Sequence, residues 1–122
     1  MSHPVSVGKN LTANTKTTMA VVPTKYDAKW VLLHAYNGTS SSKNFDVWWY
    51  DKSQNTEIEI ITSYPLASKT YLQFGGDGKY VMLEEGDEIR VKIETGATNA
   101  ICVVTLELFS KATSTQFVDF GF

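Results

Sequence analysis

Lys79-Tyr-Val-Met-Leu-Glu-Glu-Gly-Asp-Glu-Ile-Arg-Val-Lys-Ile-Glu94 is followed, across a polar turn, by Ala100-Ile-Cys-Val-Val-Thr-Leu-Glu-Leu-Phe-Ser110, and these two runs decide the fold class. From Glu88 to Glu94 the residues alternate without a break. Ile89, Val91 and Ile93 point one way, while Glu88, Arg90, Lys92 and Glu94 point the other, the period-2 signature of a half-buried strand. Ile101 to Phe109 is apolar at nearly every position and rich in β-branched residues. That pattern suits an interior strand covered on both sides, or one whose second face meets a partner. Gly86-Asp87 and Gly96-Ala-Thr-Asn99 punctuate the runs as turns, because glycine tolerates positive φ and Asn or Asp side chains bond nearby backbone amides.

The same grammar extends upstream. Thr15 to Val22 is Thr-rich and stops at Pro23, which predicts a first strand at a sheet edge. Lys29 to Asn37 predicts a central strand, with Val31, Leu33 and Ala35 on one face and Trp30, Leu32, His34 and Tyr36 on the other. Asn37-Gly-Thr-Ser-Ser-Ser-Lys43 is a loop of small residues leading to Asn44–Asp51, where Phe45, Val47 and Trp49 oppose Asp46, Trp48 and Tyr50. Glu57 to Ser63 predicts a strand with Ile58 and Ile60 inward. Tyr64-Pro-Leu-Ala-Ser68 breaks it, and Lys69 to Phe74 predicts a short strand that sets Tyr71 and Gln73 against Leu72 and Phe74. The chain thus reads as all-β, an antiparallel two-sheet sandwich of about eight strands, of jelly-roll or immunoglobulin-like kind. No stretch has the length and 3.6-residue period of a helix.

At 122 residues the chain fits one domain, here placed at 15–110. Residues 1–14 are polar, contain Pro4 and Gly8 and lack periodicity, so they read as an extended arm rather than a regular element. Residues 111–122 form a tail in which a polar spacer precedes Phe117, Val118, Phe120 and Phe122. So apolar a cluster is expected to dock, either on the domain's own core or edge, or on a neighbouring chain by strand addition. The termini therefore supply candidate partner-binding residues: Pro4, Val5 and Val7 in the arm, and Phe117, Val118, Phe120 and Phe122 in the tail.

Eleven basic against thirteen acidic residues leave a net charge of −2, which argues against non-specific nucleic-acid binding, since that needs a basic patch. One cysteine, Cys102, lies within an apolar strand, so no intrachain disulfide can form and a reducing compartment suits the chain. The opening residues lack the charge and apolar run of a signal peptide, and no apolar segment approaches membrane-spanning length. The sequons at Asn10 and Asn37 then read as arm and turn residues.

Catalysis finds little to work with. The two histidines, His3 and His34, have no nucleophile motif beside them, and Gly75-Gly-Asp-Gly78 lacks the helix and lysine of a phosphate loop. Glu84, Glu85, Asp87 and Glu88 crowd one turn, yet without the spacing of a calcium loop they read as a solvated acidic turn rather than a metal site. No cofactor is expected. Trp30, Trp48, Trp49 and Tyr50 read first as packing residues, with Trp48 and Tyr50 the candidates for an interface or for stacking on a sugar.

The order of features also carries a resemblance. The Thr-rich strand ending in Pro23, the strand closing on Asn37-Gly-Thr-Ser-Ser-Ser, Phe45-Asp-Val-Trp-Trp-Tyr-Asp51, the segment after Pro65 and Leu83-Glu-Glu-Gly-Asp-Glu-Ile-Arg-Val91 together resemble small virion proteins of tailed bacteriophages. The resemblance spans roughly Thr15 to Ser110 and carries fold rather than site residues. It implies a β-sandwich made in the bacterial cytoplasm and built into the virion as a capsid cement or decoration protein, or as a small head-to-tail or tail component. The implied partners are the major capsid protein or other virion proteins, with a homo-oligomer, trimer or dimer, and neither nucleic acid nor membrane. The rival reading is a carbohydrate-binding module of a receptor-binding fibre.

Overall fold

The structure is a computed structural model that describes residues 2–111. Nine strands run in the order β1 (Ser2–Leu11), β2 (Thr17–Val21), β3 (Tyr26–Asn37), β4 (Lys43–Asp51), β5 (Thr56–Leu66), β6 (Thr70–Gly75), β7 (Val81–Leu83), β8 (Glu88–Ile93) and β9 (Ala100–Ser110). One sheet has the order β1-β9-β3-β6, with β7 also paired to β3, and the other has the order β2-β8-β4-β5. Successive strands cross between the sheets in nested Greek keys, so of the two sandwich kinds the sequence allowed, the chain adopts the jelly roll.

Alternation places the core as the sequence predicts along β8 and β9. Ile89, Val91 and Ile93 are fully buried, and Ala100, Cys102, Val104, Leu106 and Leu108 face them from the other sheet. β9 lies between β1 and β3, which explains its near-continuous apolar run: its second face, with Ile101 and Val103, is half covered by flanking strands.

Residues 2–11 differ from the expected irregular arm. They pair with β9 along their whole length, from Ser2 opposite Phe109 to Leu11 opposite Ala100. Val5, Val7 and Leu11 pack against the core while Pro4, Ser6 and Gly8 face out, an alternation that Pro4 and Gly8 obscure in the sequence. Proline is harmless here because β1 is an edge strand.

A second difference lies in β3. Trp30 pairs with Leu106 and Leu32 with Thr105, leaving Val31 as an extra residue, a β-bulge. The bulge moves the inward set from Ala28 and Trp30 to Leu33, Ala35 and Asn37, so Trp30 is buried and does not share a face with Leu32 and His34. Its indole Nε1 donates to the Leu32 carbonyl at 3.1 Å. Gly75 sits across from the bulge at φ +91°, where an added Cβ would meet the Val31 oxygen at 2.1 Å. Only glycine fits there.

The acidic turn at 84–88 is a third difference, since Asp87 is buried rather than solvated. Its Oδ2 accepts from Trp49 Nε1 (3.1 Å) and from the Glu84 amide (2.9 Å), and its Oδ1 from the Lys52 amide (3.0 Å). Its own carbonyl accepts from the Val22 amide at 2.9 Å. The carboxylate therefore ties the β4 and β7 ends of the sandwich together, and the backbone carbonyl adds the end of β2. Replacing Asp87 by Ala strands three donors, each costing about 1–3 kcal/mol when buried and unpaired. Asp87→Ala is expected to lower the unfolding free energy by roughly 3–5 kcal/mol, read from urea denaturation, with the midpoint reduced and the slope unchanged.

Candidate functional site

A sandwich of this kind has two flanks where sheet edges lie side by side, and in this chain they are built differently. Along the first, β1 neighbours β2. Lys9 reaches across and donates from Nζ to the Thr18 carbonyl at 2.7 Å, latching the sheets together. Lysine and proline are the usual guards of a free edge, and Lys9 and Pro4 fill those roles.

Along the second flank β5 faces β6 and β7. The two strands join through the short turn 67–69, and beyond it a groove of about 330 Å³ opens between the sheets. Trp30, Val31 and Leu32 line it from the bulge, Ile60 from β5, and Phe74, Tyr80 and Val81 from the β6–β7 side. Asp77 and Lys79 complete the lining. The bulge makes this opening: the strand paired to β3 is interrupted there, with β6 ending opposite Leu32 and β7 starting opposite Trp30.

Among the described residues, seven large apolar side chains are well exposed. Six of them, Ile58, Ile60, Tyr64, Tyr71, Tyr80 and Met82, lie in or beside β5, β6 and β7; the seventh is Val21. Ile58 and Ile60 had been expected to point inward. Two bulges in β5, where Phe45 pairs with Tyr64, Val47 with Ile61 and Trp48 with Glu59, turn Ile60 out and bring Ile61 onto the core, while Ile58, opposite Trp49, keeps to the inner side at the sheet edge. Ile58 and Ile60 are each 40% exposed. The sequence signal for this flank was present in the unpunctuated Ile58–Ile61 stretch, but strict alternation assigned it to the core.

Trp48 and Tyr50 do come together, on the outer face of the β2-β8-β4-β5 sheet, and both are half buried. Lys16 Nζ lies 4.1 Å from the Trp48 ring centre and Arg90 Cζ lies 4.2 Å from that of Tyr50. The same cations bind acids: Lys16 to Glu57 at 2.7 Å, and Arg90 to Glu57 and Glu88 at 2.9 Å each. The Lys16 hydrogen bond holds the Glu57 carboxyl below its usual range against the opposing effect of burial, with Arg90 adding to it. Burial alone would lower the Arg90 pKa, yet the hydrogen bonds that Arg90 donates to Glu57 and Glu88 outweigh it and raise the value. A sugar stacking here would have to displace cations already held over both rings.

The remaining candidates separate. Val5 and Val7 are spent on the chain's own core, and Pro4 is exposed on β1. Phe117, Val118, Phe120 and Phe122 lie outside the described residues. His34 stacks on Tyr71 with ring centres 5.0 Å apart and shares a 3.0 Å hydrogen bond with Gln73 across the sheet. Among the described residues no group of three or more His, Cys, Asp or Glu is arranged to hold a metal ion, and no helix is long and apolar enough to cross a membrane.

No protein-family model matches the sequence, and no curated protein matches it. Solved structures do. A chain of the Helicobacter pylori bacteriophage KHP30 capsid superposes with a TM-score of 0.54 at 11% identity, covering 90% of this chain and 88% of that one. A chain from Bacillus endospore appendages, described as disulfide-linked pili, gives 0.53 at 10% identity, covering 90% and 87%. A chain of the T13 particle of the virus IBDV gives 0.50 at 7%, covering 90% of this chain and 35% of its own length. The likeness is one of fold.

Cys102 is fully buried, and burial pushes its thiol up to about 12 from an ordinary 9.0. A raised value means that this contribution to stability is complete below pH 9.0 and is lost progressively as pH rises toward 12, because only the unfolded chain releases the proton. Stability is therefore expected to fall across that alkaline interval, and the fall is expected to shrink in Cys102→Ala after allowance for the cavity. At neutral pH, alkylation of Cys102 by iodoacetamide is expected only at the rate of unfolding.

Proposed function

We propose that the chain is a non-enzymatic structural subunit of a virion, most simply a capsid cement or decoration protein that binds across major capsid subunits through its β5–β6–β7 flank. One observation carries the reading: exposed large apolar side chains are concentrated on that flank, while the opposite one is latched by Lys9. Three of the six are tyrosines, which are enriched at protein interfaces because a rigid amphipathic ring contributes area at low entropic cost. The phage-capsid and viral-particle structures sharing the fold, and the sequence resemblance to tailed-phage virion proteins, support the same reading.

Cement works by adding buried area across joints between shell subunits, and a stable specific contact buries on the order of 1,600 Å². A flat side of a jelly roll can supply such an area with no pocket. Closed symmetric assembly, as a trimer or dimer at a local axis of the shell, fits this role.

The test uses a triple variant, Tyr64→Ser with Tyr71→Ser and Met82→Ser, whose side chains are exposed and so leave the core intact. The expected result is a chain that melts as the parent does but no longer sediments with purified virions, its binding weakened by at least about a hundredfold as expected for loss of interface anchors. Co-sedimentation of the variant at parental level, or absence of the parent chain from purified particles, would contradict the proposal.

A further inference from the structure

We propose that the groove between β5 and β6 is the receptor for this chain's own segment Phe117–Phe122, which crosses the bottom of the sandwich and seats beside Trp30, Phe74 and Tyr80. Groove and segment match in chemistry. Seven apolar or aromatic side chains line the groove, two of them, Ile60 and Tyr80, well exposed. The segment offers three phenylalanines and a valine within six residues, a cluster that water alone does not satisfy. Its one charged side chain, Asp119, is opposite in sign to Lys79 in the groove lining, which Asp77 balances.

The spacing matches as well. The Lys111 amide donates to the Lys25 carbonyl at 2.9 Å, which fixes where the chain leaves β9, one residue before β3 begins. The groove floor at 30–32 lies about six residues farther along β3, the strand next to β9, hence about 20 Å by about 5 Å at ordinary strand spacings. From Lys111 the six steps to Phe117 cover about 20 Å when extended. Residues 112–116, Ala-Thr-Ser-Thr-Gln, are thus consumed in the crossing, and the aromatic residues fall alongside the groove. On the way the segment passes β7, whose outer edge is free because β7 pairs with β3 alone.

A second recess lies nearer the exit, lined by Val21, Val22 and Pro23 but also by Lys52, Glu84, Glu85 and Lys111. It is the larger of the two, at about 560 Å³, but four charged residues around it make it the poorer site for phenylalanine. The apolar groove is the better match, and the polar spacer is long enough to bypass the recess.

Hydrogen exchange on the full chain and on a chain ending at Gln116 tests the proposal. Removing 117–122 is expected to speed exchange at least about tenfold in Gly75–Val81 and Ile58–Ile61 while leaving β8 and β9 unchanged. A synthetic Gln116–Phe122 peptide added to the shortened chain is expected to restore protection, and Ile60→Asp to block the restoration. Phe120→Ser with Phe122→Ser keeps the length and repeats the measurement if the shortened chain fails to fold. Protection in the full chain is expected to persist unchanged over about a hundredfold dilution, because an attached segment binds at fixed effective concentration. Equal exchange in long and short chains would overturn the proposal. So would protection that fades on dilution, which would mean that the segment seats on a second copy. Only Ile60→Asp alters a residue of the virion-binding flank; the truncation, the peptide and the Phe variants leave Tyr64, Tyr71 and Met82 in place, so failure of the groove leaves the co-sedimentation test standing.

Discussion

Val31 is the residue on which the two sides of this jelly roll part company. A single extra residue in β3 changes which of its side chains reach the core, drawing Trp30 in. The strand opposite cannot follow the change. It breaks into β6 and β7 around Gly75, whose backbone conformation admits no side chain. The sandwich is consequently sealed along β1 and β2 and open along β5 and β6. Among the described residues, every well-exposed large apolar side chain except Val21 lies on or beside the strands of the open side.

The closed side shows what the chain does where no contact is wanted. Lys9 bridges the sheets and Pro4 blunts the edge, while the outer face of the β2-β8-β4-β5 sheet is covered by Lys16, Glu57, Arg90 and Glu88, with two cations laid over Trp48 and Tyr50. These are solvated, mutually satisfied groups, and burying them against a partner would require stripping water from charges. Ile60, Tyr64, Tyr71 and Met82 carry no such penalty. Selection for solubility normally removes large exposed apolar groups that serve no contact, so their concentration on one flank is informative.

Much of this was legible in the sequence, and the exceptions have a common cause. The alternation of Glu88–Glu94 and the apolar run of Ile101–Phe109 gave the core face of each sheet, and the turn spacing gave the sandwich. What alternation cannot show is a bulge, because one extra residue reverses every assignment beyond it. Trp30 was grouped on one face with Leu32 and His34, and Ile60 set inward, for that reason. Asp87 was misread for a different one: a carboxylate in an acidic turn looks solvated until its three donors, two of them backbone amides, are placed around it. The strand at 2–11 was hidden by Pro4 and Gly8, since its pairing depends on the waiting edge of β9 more than on its own residues. Trp48 and Tyr50 were correctly paired on one face, but the cations over them come from Lys16 and Arg90, distant in sequence.

Tyrosine modification of the free chain and of purified particles examines the open flank most directly, because the six tyrosines divide evenly. Tyr64, Tyr71 and Tyr80 lie exposed on or beside β5 and β6, whereas Tyr26, Tyr36 and Tyr50 are half buried elsewhere. Nitration of the isolated protein should mark Tyr64 and Tyr71 first, and in the assembled particle Tyr64 and Tyr71 should be protected while Tyr50 keeps its free-state reactivity. Unchanged labelling of Tyr64 and Tyr71 on assembly, or protection falling on Tyr50 instead, would contradict an assembly surface built on the open side of the sandwich.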